Sequence, residues 1–229
     1  LLFNMLGGCL ASIGQTKMAI ANYQKALKFE SEYAIPKHMI NSLTGIKPGN
    51  IVGSISNDGK TNLAIISSVV HLSSKPGLIG FIMRPHGEVK RDTYNNICEN
   101  GYFTINHIPT SHAEQAHYTS AKFDTDISEF DRCGFTEQYI EGFKAPFVEE
   151  SNIKMGLKLV EEIEIKSSNT KMLVGEIQHV IIPDNAINET GYINLEKAAS
   201  AGISGLNSYY KLEFLDSYPY ARVEDVPEF

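Results

Sequence analysis

Tryptophan is absent from the 229-residue chain, and cysteine is scarce, since only Cys9, Cys98 and Cys133 occur. These cysteines lie far apart and form no Cys-x-x-Cys pair, which excludes a zinc ribbon and a dithiol redox motif. Three separate thiols are typical of a reducing cytoplasm, which is the predicted location. No apolar run approaches the roughly 18 to 20 residues that span a bilayer, so no membrane association is expected.

Basic residues are also fewer than acidic ones: the chain has 20 lysines and arginines and 27 aspartates and glutamates, so the formal net charge is -7. Nucleic acids and anionic membranes both require a basic protein face. Neither is therefore expected as the main partner, although a local basic cluster can still hold one phosphate group. The composition, 42% hydrophobic and 21% charged, is that of a folded globular protein.

Several catalytic and nucleotide-binding motifs are missing as well. The chain has neither a Gly-x-Gly-x-x-Gly loop after a strand nor a Gly-x-x-x-x-Gly-Lys-Ser/Thr loop, so neither nucleotide-binding loop is supported. His-Glu-x-x-His and Gly-x-Ser-x-Gly are absent too. The histidines are scattered, and the pairs His107/His112 and His112/His117 are five residues apart, which does not place them on one helical face. No metal site is predicted.

The chain changes character near residue 35. Before it, two amphipathic stretches separated by Gly14-Gln15-Thr16 predict a helical hairpin over residues 1–34. This hairpin resembles one tetratricopeptide repeat, at Phe3, Leu6, Gly7, Leu10, Gly14, Ala19, Tyr23 and Ala26. One repeat cannot bury its own apolar face. We therefore expect either that earlier repeats precede it in a longer chain, as the missing initiator Met suggests, or that it packs on the next domain. An ordinary helical hairpin is the alternative.

Residues 35–229 form the second predicted domain, and their pattern is mostly β. Alternating or continuous apolar runs predict strands at Ile51–Ser56, Leu63–Val70, Leu78–Met83, Tyr102–Ile108, Leu157–Lys166 and Met172–Pro183. Turn residues separate them at Asn57–Lys60 and Lys75–Gly77, and Gly175 is expected to mark a bulge or bend. Short helices are predicted at Thr93–Glu99 and Thr110–Ser120. Many short strands with few helices indicate a closed or partly closed barrel.

Two segments of this domain carry polar chemistry. Met83–Thr93 brings Arg84, Lys90 and Arg91 to the start of a helix, with Asp92 or Thr93 expected as N-cap. A helix N-terminus beside arginine suits a phosphate monoester, but a solvated loop with an ordinary cap is the alternative. In Thr61–Ser68, polar residues bracket an apolar run and can hydrogen-bond a planar, polar heterocycle; plain strand structure is the alternative here.

In their order along the chain, these segments resemble the flavin reductase-like, FMN-binding split-barrel family over about residues 38–229. The matching segments are Gly53–Asn57, Asp58-Gly59, Thr61–Ala64, Ser67-Ser68, Lys75–Leu78, Arg91–Thr93, Asn96-Ile97, Gly101–Asn106, His117–Phe123, Ser128–Phe130, Ala145-Pro146 and Gly175–Ile177. Ile65 stands where the family commonly has proline.

The resemblance implies a mainly β fold with short helices, a split β-barrel that is usually a homodimer, with FMN at the interface of the two subunits. By position, the isoalloxazine and ribityl chain would be lined by Asn62, Ser67 and Ser68. The phosphate would be held by Arg84, Arg91 and Thr93, with Asp92 capping the helix or fixing an arginine. By the same resemblance, His117, Ser120 and Lys122 would belong to the family's loop that approaches the flavin. Structural roles are the alternatives: Ser67 and Ser68 would satisfy strand ends, and His117 would cap a helix.

The function that follows is an NAD(P)H-dependent flavin reductase or a related FMN oxidoreductase. The flavin carries the chemistry, so no catalytic side chain is required, which fits a sequence without a triad or a carboxylate pair. Two alternatives remain open. One is a non-catalytic FMN electron carrier of the flavoredoxin type, and the other is a tetratricopeptide-type module that binds a protein partner and carries an appended barrel.

Overall fold

The computed structural model describes residues 17–22, 34–84, 91–124 and 126–228. Within the predicted hairpin, residues 17–22 are helical, and Ala19 packs against Met39. Most of the hairpin lies outside the described residues, so the tetratricopeptide-like repeat and the domain boundary at residue 35 stay predictions. None of the helices in the described part of the chain has both the length and the apolar character of a membrane span.

Four short α-helices lie between residues 34 and 228 of the described chain. They are α1 (Ala34–Ser42), α2 (Asp92–Asn100), α3 (Ala113–Tyr118) and α4 (Glu129–Cys133). Helix α2 ends as predicted, because Gly101 adopts φ 77° and its N–H donates to the carbonyl of Ile97. A 3₁₀ turn at Thr110–His112 leads into α3, and together they occupy the predicted helix Thr110–Ser120. Helix α4 was not predicted, since five residues are too few to show a helical period.

The strands carry most of the structure. They are β1 (Lys47–Pro48), β2 (Asn50–Ile55), β3 (Thr61–Ile66), β4 (Val70–Ser74), β5 (Gly77–Met83), β6 (Tyr102–His107), β7 (Glu137–Gln138), β8 (Phe147–Val148), β9 (Lys154–Ile165), β10 (Thr170–Ile181), β11 (Ala201–Ser204) and β12 (Ser208–Lys211). All pairs are antiparallel, and they form a seven-stranded, a three-stranded and a two-stranded sheet. A mainly β fold with few short helices is therefore confirmed.

The seven-stranded sheet has the order β3-β2-β6-β9-β10-β5-β4, so β3 and β4 are its two edges. In the chain, however, only residues 67–69 connect these strands. A flat sheet would separate its edges by about 29 Å, which is six spacings of about 4.8 Å. Four residue steps reach at most about 14 Å. The sheet must therefore curl until its edges approach each other, and because β3 and β4 are not paired, it forms a barrel with one open seam.

One predicted strand was wrong, because the seam interrupts it. The run Leu63–Val70 was expected to be continuous, but it is broken at residues 67–69, where the chain leaves one edge and crosses to the other. Ser68 secures the crossing, because its Oγ accepts a hydrogen bond from the N–H of Ile82 at 3.0 Å and donates one to the carbonyl of Ile82 at 3.3 Å. Sequence pattern alone missed the break because apolar residues lie on both sides of Ser67-Ser68.

Two clusters of buried side chains fill the barrel and its flank. Inside the curl, Phe81 and Phe103 pack edge to face with their ring centroids 5.5 Å apart. Ile97 of α2 joins this cluster, so α2 is fixed against the barrel wall. The second cluster holds Phe130 of α4 and Ile203 of β11. Full burial of one such side chain contributes about 1.5 to 3 kcal/mol, so both helices are held firmly in place.

Candidate functional site

A cavity of about 670 Å³ opens at the seam, between β3, the end of β5 and the start of α2. Every residue that the sequence predicted for the site lines this cavity: Asn62, Ser67, Ser68, Arg84, Arg91, Asp92, Thr93, His117, Ser120 and Lys122. The size falls within the range of about 300 to 1,000 Å³ that is usual for small-molecule sites. Segments far apart in sequence thus converge on a single space.

The start of α2 forms one wall of the cavity, and it differs from the prediction in one respect. Neither Asp92 nor Thr93 is the N-cap; Arg91 occupies that position, and its side chain makes no capping hydrogen bond. Asp92 is instead the first helical residue, where a carboxylate is favourable because the N-terminus carries partial positive charge.

Arg91 also holds an unsatisfied donor. Its Nε atom is buried and finds no hydrogen-bond partner among the described residues. A buried donor without a partner costs free energy, so such a group is usually matched by a ligand or by ordered water. A guanidinium that lines a cavity beside an α-helix start suits a phosphate group.

Hydrogen bonds between buried side chains join α2 to the sheet. The amide of Asn62, on β3, donates to the hydroxyl of Thr93 at 2.9 Å. One turn further along α2, Asn96 donates to the hydroxyl of Ser54, on β2, at 3.2 Å. All four residues are buried, so these contacts are shielded from water. They fix the helix start relative to the strand that forms the adjoining wall.

The strand side of the cavity is partly apolar. Ala64, Ile65 and Ile66 line it next to Ser67 and Ser68. The Ser68 hydroxyl pairs with the backbone N–H and carbonyl of Ile82, so Ser68 has the structural role that was the alternative to flavin binding. An apolar surface with polar groups at its border is suited to a planar ring whose edges carry donors and acceptors.

The third wall follows α3. The Nδ1 atom of His117 lies 3.1 Å from the hydroxyl of Tyr209, and the two rings meet edge to face. Burial raises the pKa of Tyr209 to about 12, so its hydroxyl stays protonated at neutral pH. Ser120 donates to the carbonyl of His117 at 2.7 Å, which closes the last turn of the helix. His117 is thus oriented by a tyrosine rather than used as a helix cap.

Two charged residues of the cavity were not predicted as ligands, namely Lys47 and Glu129. An oxygen of the Glu129 carboxylate accepts the N–H of Leu63 at 3.0 Å, which pairs the free edge of β3. Burial raises the pKa of Glu129, and the nearby Asp92 acts in the same direction. Ser128–Phe130 was among the segments of the family resemblance, so the resemblance was the signal that could have identified Glu129 as a residue of the site. Lys47 had none, because β1 is only two residues long.

The cavity is locally cationic in an acidic protein. Lys47, Arg84, Arg91 and Lys122 line it, against Asp92 and Glu129. In the part of the chain that the structure describes, none of these cations lies within salt-bridge distance of a carboxylate. No group of three histidine, cysteine or acidic side chains that would suit a metal ion occurs there either. The chemistry of this donor set therefore fits an organic anion with a planar apolar part.

The fold and this site define a family. Residues 46–199 match the flavin reductase like domain, so the chain belongs to that family. A crystal structure of a candidate flavin reductase with a split barrel domain from Shewanella frigidimarina superposes with a TM-score of 0.79 at 44% identity, covering 83% of this chain and 94% of that one.

More distant structures share the fold. Flavoredoxin of Desulfovibrio vulgaris superposes with a TM-score of 0.65 at 24% identity, covering 76% of this chain and 91% of that one. An FMN-binding protein from Thermus thermophilus has a TM-score of 0.64 at 16% identity, covering 78% and 93%. At these identities the likeness shows the fold alone. The split barrel expected from the sequence is thereby confirmed, whereas the roles of individual site residues stay predictions.

Proposed function

We propose that the protein is an FMN-dependent oxidoreductase of the flavin reductase type, which takes hydride from NAD(P)H. The observation that carries this proposal is the unpaired, buried Nε of Arg91 in a cavity that Thr93 and the start of α2 also line. These groups fit the phosphate of FMN, and the Ala64–Ile66 surface fits its ring system. Membership of the flavin reductase like family supports the same class of activity.

Bound FMN would supply the redox chemistry, since oxidised FMN, NAD(P)H and a proton give two-electron-reduced FMN and NAD(P)⁺. The chain's own residues bind and orient. Arg91 and Thr93 hold the phosphate, and Asn62 keeps the Thr93 hydroxyl in place through its amide. Ser67, Ser68 and the backbone of β3 border the ring system, while His117, Ser120 and Lys122 form the facing wall. No residue is assigned an acid or base role.

The visible absorption spectrum tests FMN binding. Titrating FMN into the purified protein should perturb the flavin bands and quench flavin fluorescence at micromolar concentration. Anaerobic addition of NADH or NADPH should then bleach the flavin absorbance without any added protein. If the flavin spectrum is unchanged by the protein, FMN binding at this site is wrong.

An electron carrier of the flavoredoxin type is a second candidate, and the fold likeness to flavoredoxin favours it. It would need the same FMN site, so binding alone does not separate the two functions. FMN that binds but is bleached only after a partner reductase is added would favour the carrier. Direct bleaching by a nicotinamide dinucleotide would favour the enzyme.

We also propose that the protein is a homodimer with FMN at the interface. Its C-terminal segment supports this, because Leu215, Tyr218 and Tyr220 are 93%, 80% and 87% exposed. Exposed apolar side chains that lie close together in sequence are commonly covered by another subunit. Sedimentation equilibrium at micromolar concentration tests the proposal, and a monomer would contradict it. A reducing cytoplasm remains the proposed location, consistent with the free thiols Cys98 and Cys133.

A further inference from the structure

Lys47 lines the cavity but was not among the predicted flavin ligands. Its ammonium donates to the carbonyl of Gly205, in the β11–β12 turn, at 2.6 Å, and to that of Asn41, near the end of α1, at 3.4 Å. Carbonyls at a helix C-terminus favour a cation. Two acceptors orient the ammonium and leave its third N–H without an assigned acceptor, so the lysine is held in place at the cavity wall rather than free in solvent.

A second cationic side chain lines the same cavity. Arg84, directly after β5, also lines the cavity. Burial lowers the pKa of Lys47, and the charge of Arg84 lowers it further. Two cations that face one cavity without a carboxylate partner among the described residues raise the energy of the empty site. An anion bound between them would remove this cost.

The anion that satisfies Lys47 need not be the phosphate of FMN. Arg91 and Thr93 offer a complete phosphate site at the start of α2, with the buried Nε as an unused donor. Lys47 is linked to other parts of the cavity lining, since it donates to the carbonyl of Asn41 and is paired with Ile203. A nicotinamide dinucleotide that reduced the flavin would bring its own phosphates to the site together with its nicotinamide ring.

We propose that Lys47, together with Arg84, forms a second anion subsite, which binds a phosphate group of the nicotinamide dinucleotide. This inference rests on the proposed function, and it assigns to Lys47 the binding of the reductant rather than of the flavin. If Lys47 only linked the β11–β12 turn to α1, its replacement would lower the stability of the protein. The KM for the dinucleotide would then stay unchanged.

The test compares Lys47→Met with Lys47→Arg in steady-state assays with FMN present. Lys47→Met should raise the KM for the preferred dinucleotide about tenfold, which is the loss expected for one charge-assisted contact, while kcat changes little. Lys47→Arg should restore most of the affinity because it keeps the charge. Lys60→Met is the matched control, since Lys60 is an exposed lysine of the β2–β3 turn outside the cavity.

A reductant without phosphate separates the two roles. The reductant 1-benzyl-1,4-dihydronicotinamide has no anionic group. With this reductant, the flavin in the Lys47→Met protein should be reduced at the parental rate. Lys47→Gln provides a second variant in case Lys47→Met fails to fold, because its uncharged amide can still donate to the carbonyl of Gly205. It should likewise raise the KM for the dinucleotide and leave the rate with the phosphate-free reductant unchanged.

Three outcomes overturn the inference. They are an unchanged KM in both folded variants, an equal loss of rate with the phosphate-free reductant, or weaker FMN binding that accounts for the whole effect. Each is read against the parent protein, in which FMN titration and bleaching are measured first. Failure of the parent to bind FMN or to be reduced contradicts the proposed function itself, so the two failures are distinguishable.

Discussion

The amide of Asn62 donates to the hydroxyl of Thr93 across 2.9 Å, and this buried contact joins the edge strand β3 to the first turn of α2. The two residues line the cavity from neighbouring walls. The same bond therefore determines both the packing of the helix and the position of a hydroxyl proposed to hold the FMN phosphate.

Replacing Thr93 by valine tests this relationship. The change keeps the side-chain shape but leaves the buried Asn62 amide without its acceptor, so the free energy of unfolding should fall by about 1 to 3 kcal/mol. FMN affinity should fall as well. Urea denaturation with and without FMN measures both effects. Thr93→Ser keeps the hydroxyl and should behave nearly as the parent; similar losses in the two variants would assign the effect to packing instead.

Arg91→Ala tests the phosphate site. Removing a charge-assisted contact should weaken FMN binding by about 1.5 to 3 kcal/mol. Fluorescence titration with FMN gives the dissociation constant. Riboflavin, which lacks the phosphate, should bind the variant and the parent alike. Arg222→Ala is a suitable control because Arg222 lies exposed in the C-terminal segment. An Arg91→Ala protein that binds FMN like the parent would move the phosphate to Arg84 or Lys90.

Local patterns predicted much of the barrel, because a strand's period and its turn residues are properties of adjacent residues. The β2–β3 hairpin follows from Asn57–Lys60, and the bulge at Gly175 appears as a register shift between Val174 and Gly175. The site residues were found by family resemblance together with local chemistry. Their meeting in one cavity required the curl of the whole sheet, which no local pattern encodes.

Other features escaped prediction for identifiable reasons. Lys47 is placed by the pairing of Lys47 with Ile203, two residues far apart in the chain, and β1 is too short to show alternation. The seam after Ile66 was hidden because apolar residues both precede and follow Ser67-Ser68 within Leu63–Val70. Arg91 took the N-cap position expected for Asp92 or Thr93, and an arginine carries no capping signal.

Gly175 gives a test of the barrel interior. A Cβ at this bulge would lie 2.5 Å from the ring of Phe103 and 3.0 Å from the Cβ of Leu157, so Gly175→Ala forces a core ring to move. Overpacking of this kind typically costs about 1 to 3 kcal/mol. Thermal unfolding should show a clear loss. In the control Gly77→Ala, the new Cβ would meet Ile177 at an ordinary 3.5 Å, so little change is expected. Equal stability of both variants would contradict the close packing at the bulge.

Glu129 predicts how stability depends on pH. Burial raises its pKa above the ordinary 4.5, so the folded protein keeps this proton at pH values where the unfolded chain has lost it. The unfolded state then binds fewer protons, and the contribution of Glu129 to stability falls as pH rises from 4.5 through the raised pKa. Glu129→Gln removes the titration and keeps an oxygen for the N–H of Leu63.

The free energy of unfolding, measured by urea denaturation between pH 4 and 8, should therefore decline less steeply in Glu129→Gln than in the parent. At pH 8 the variant should be at least as stable as the parent, because the carboxylate no longer repels Asp92. Glu189→Gln, on an exposed loop, serves as the control and should follow the parental curve. A Glu129→Gln protein that is less stable than the parent at every pH would mean that the charged form of Glu129 holds the β3 edge more strongly than its burial costs.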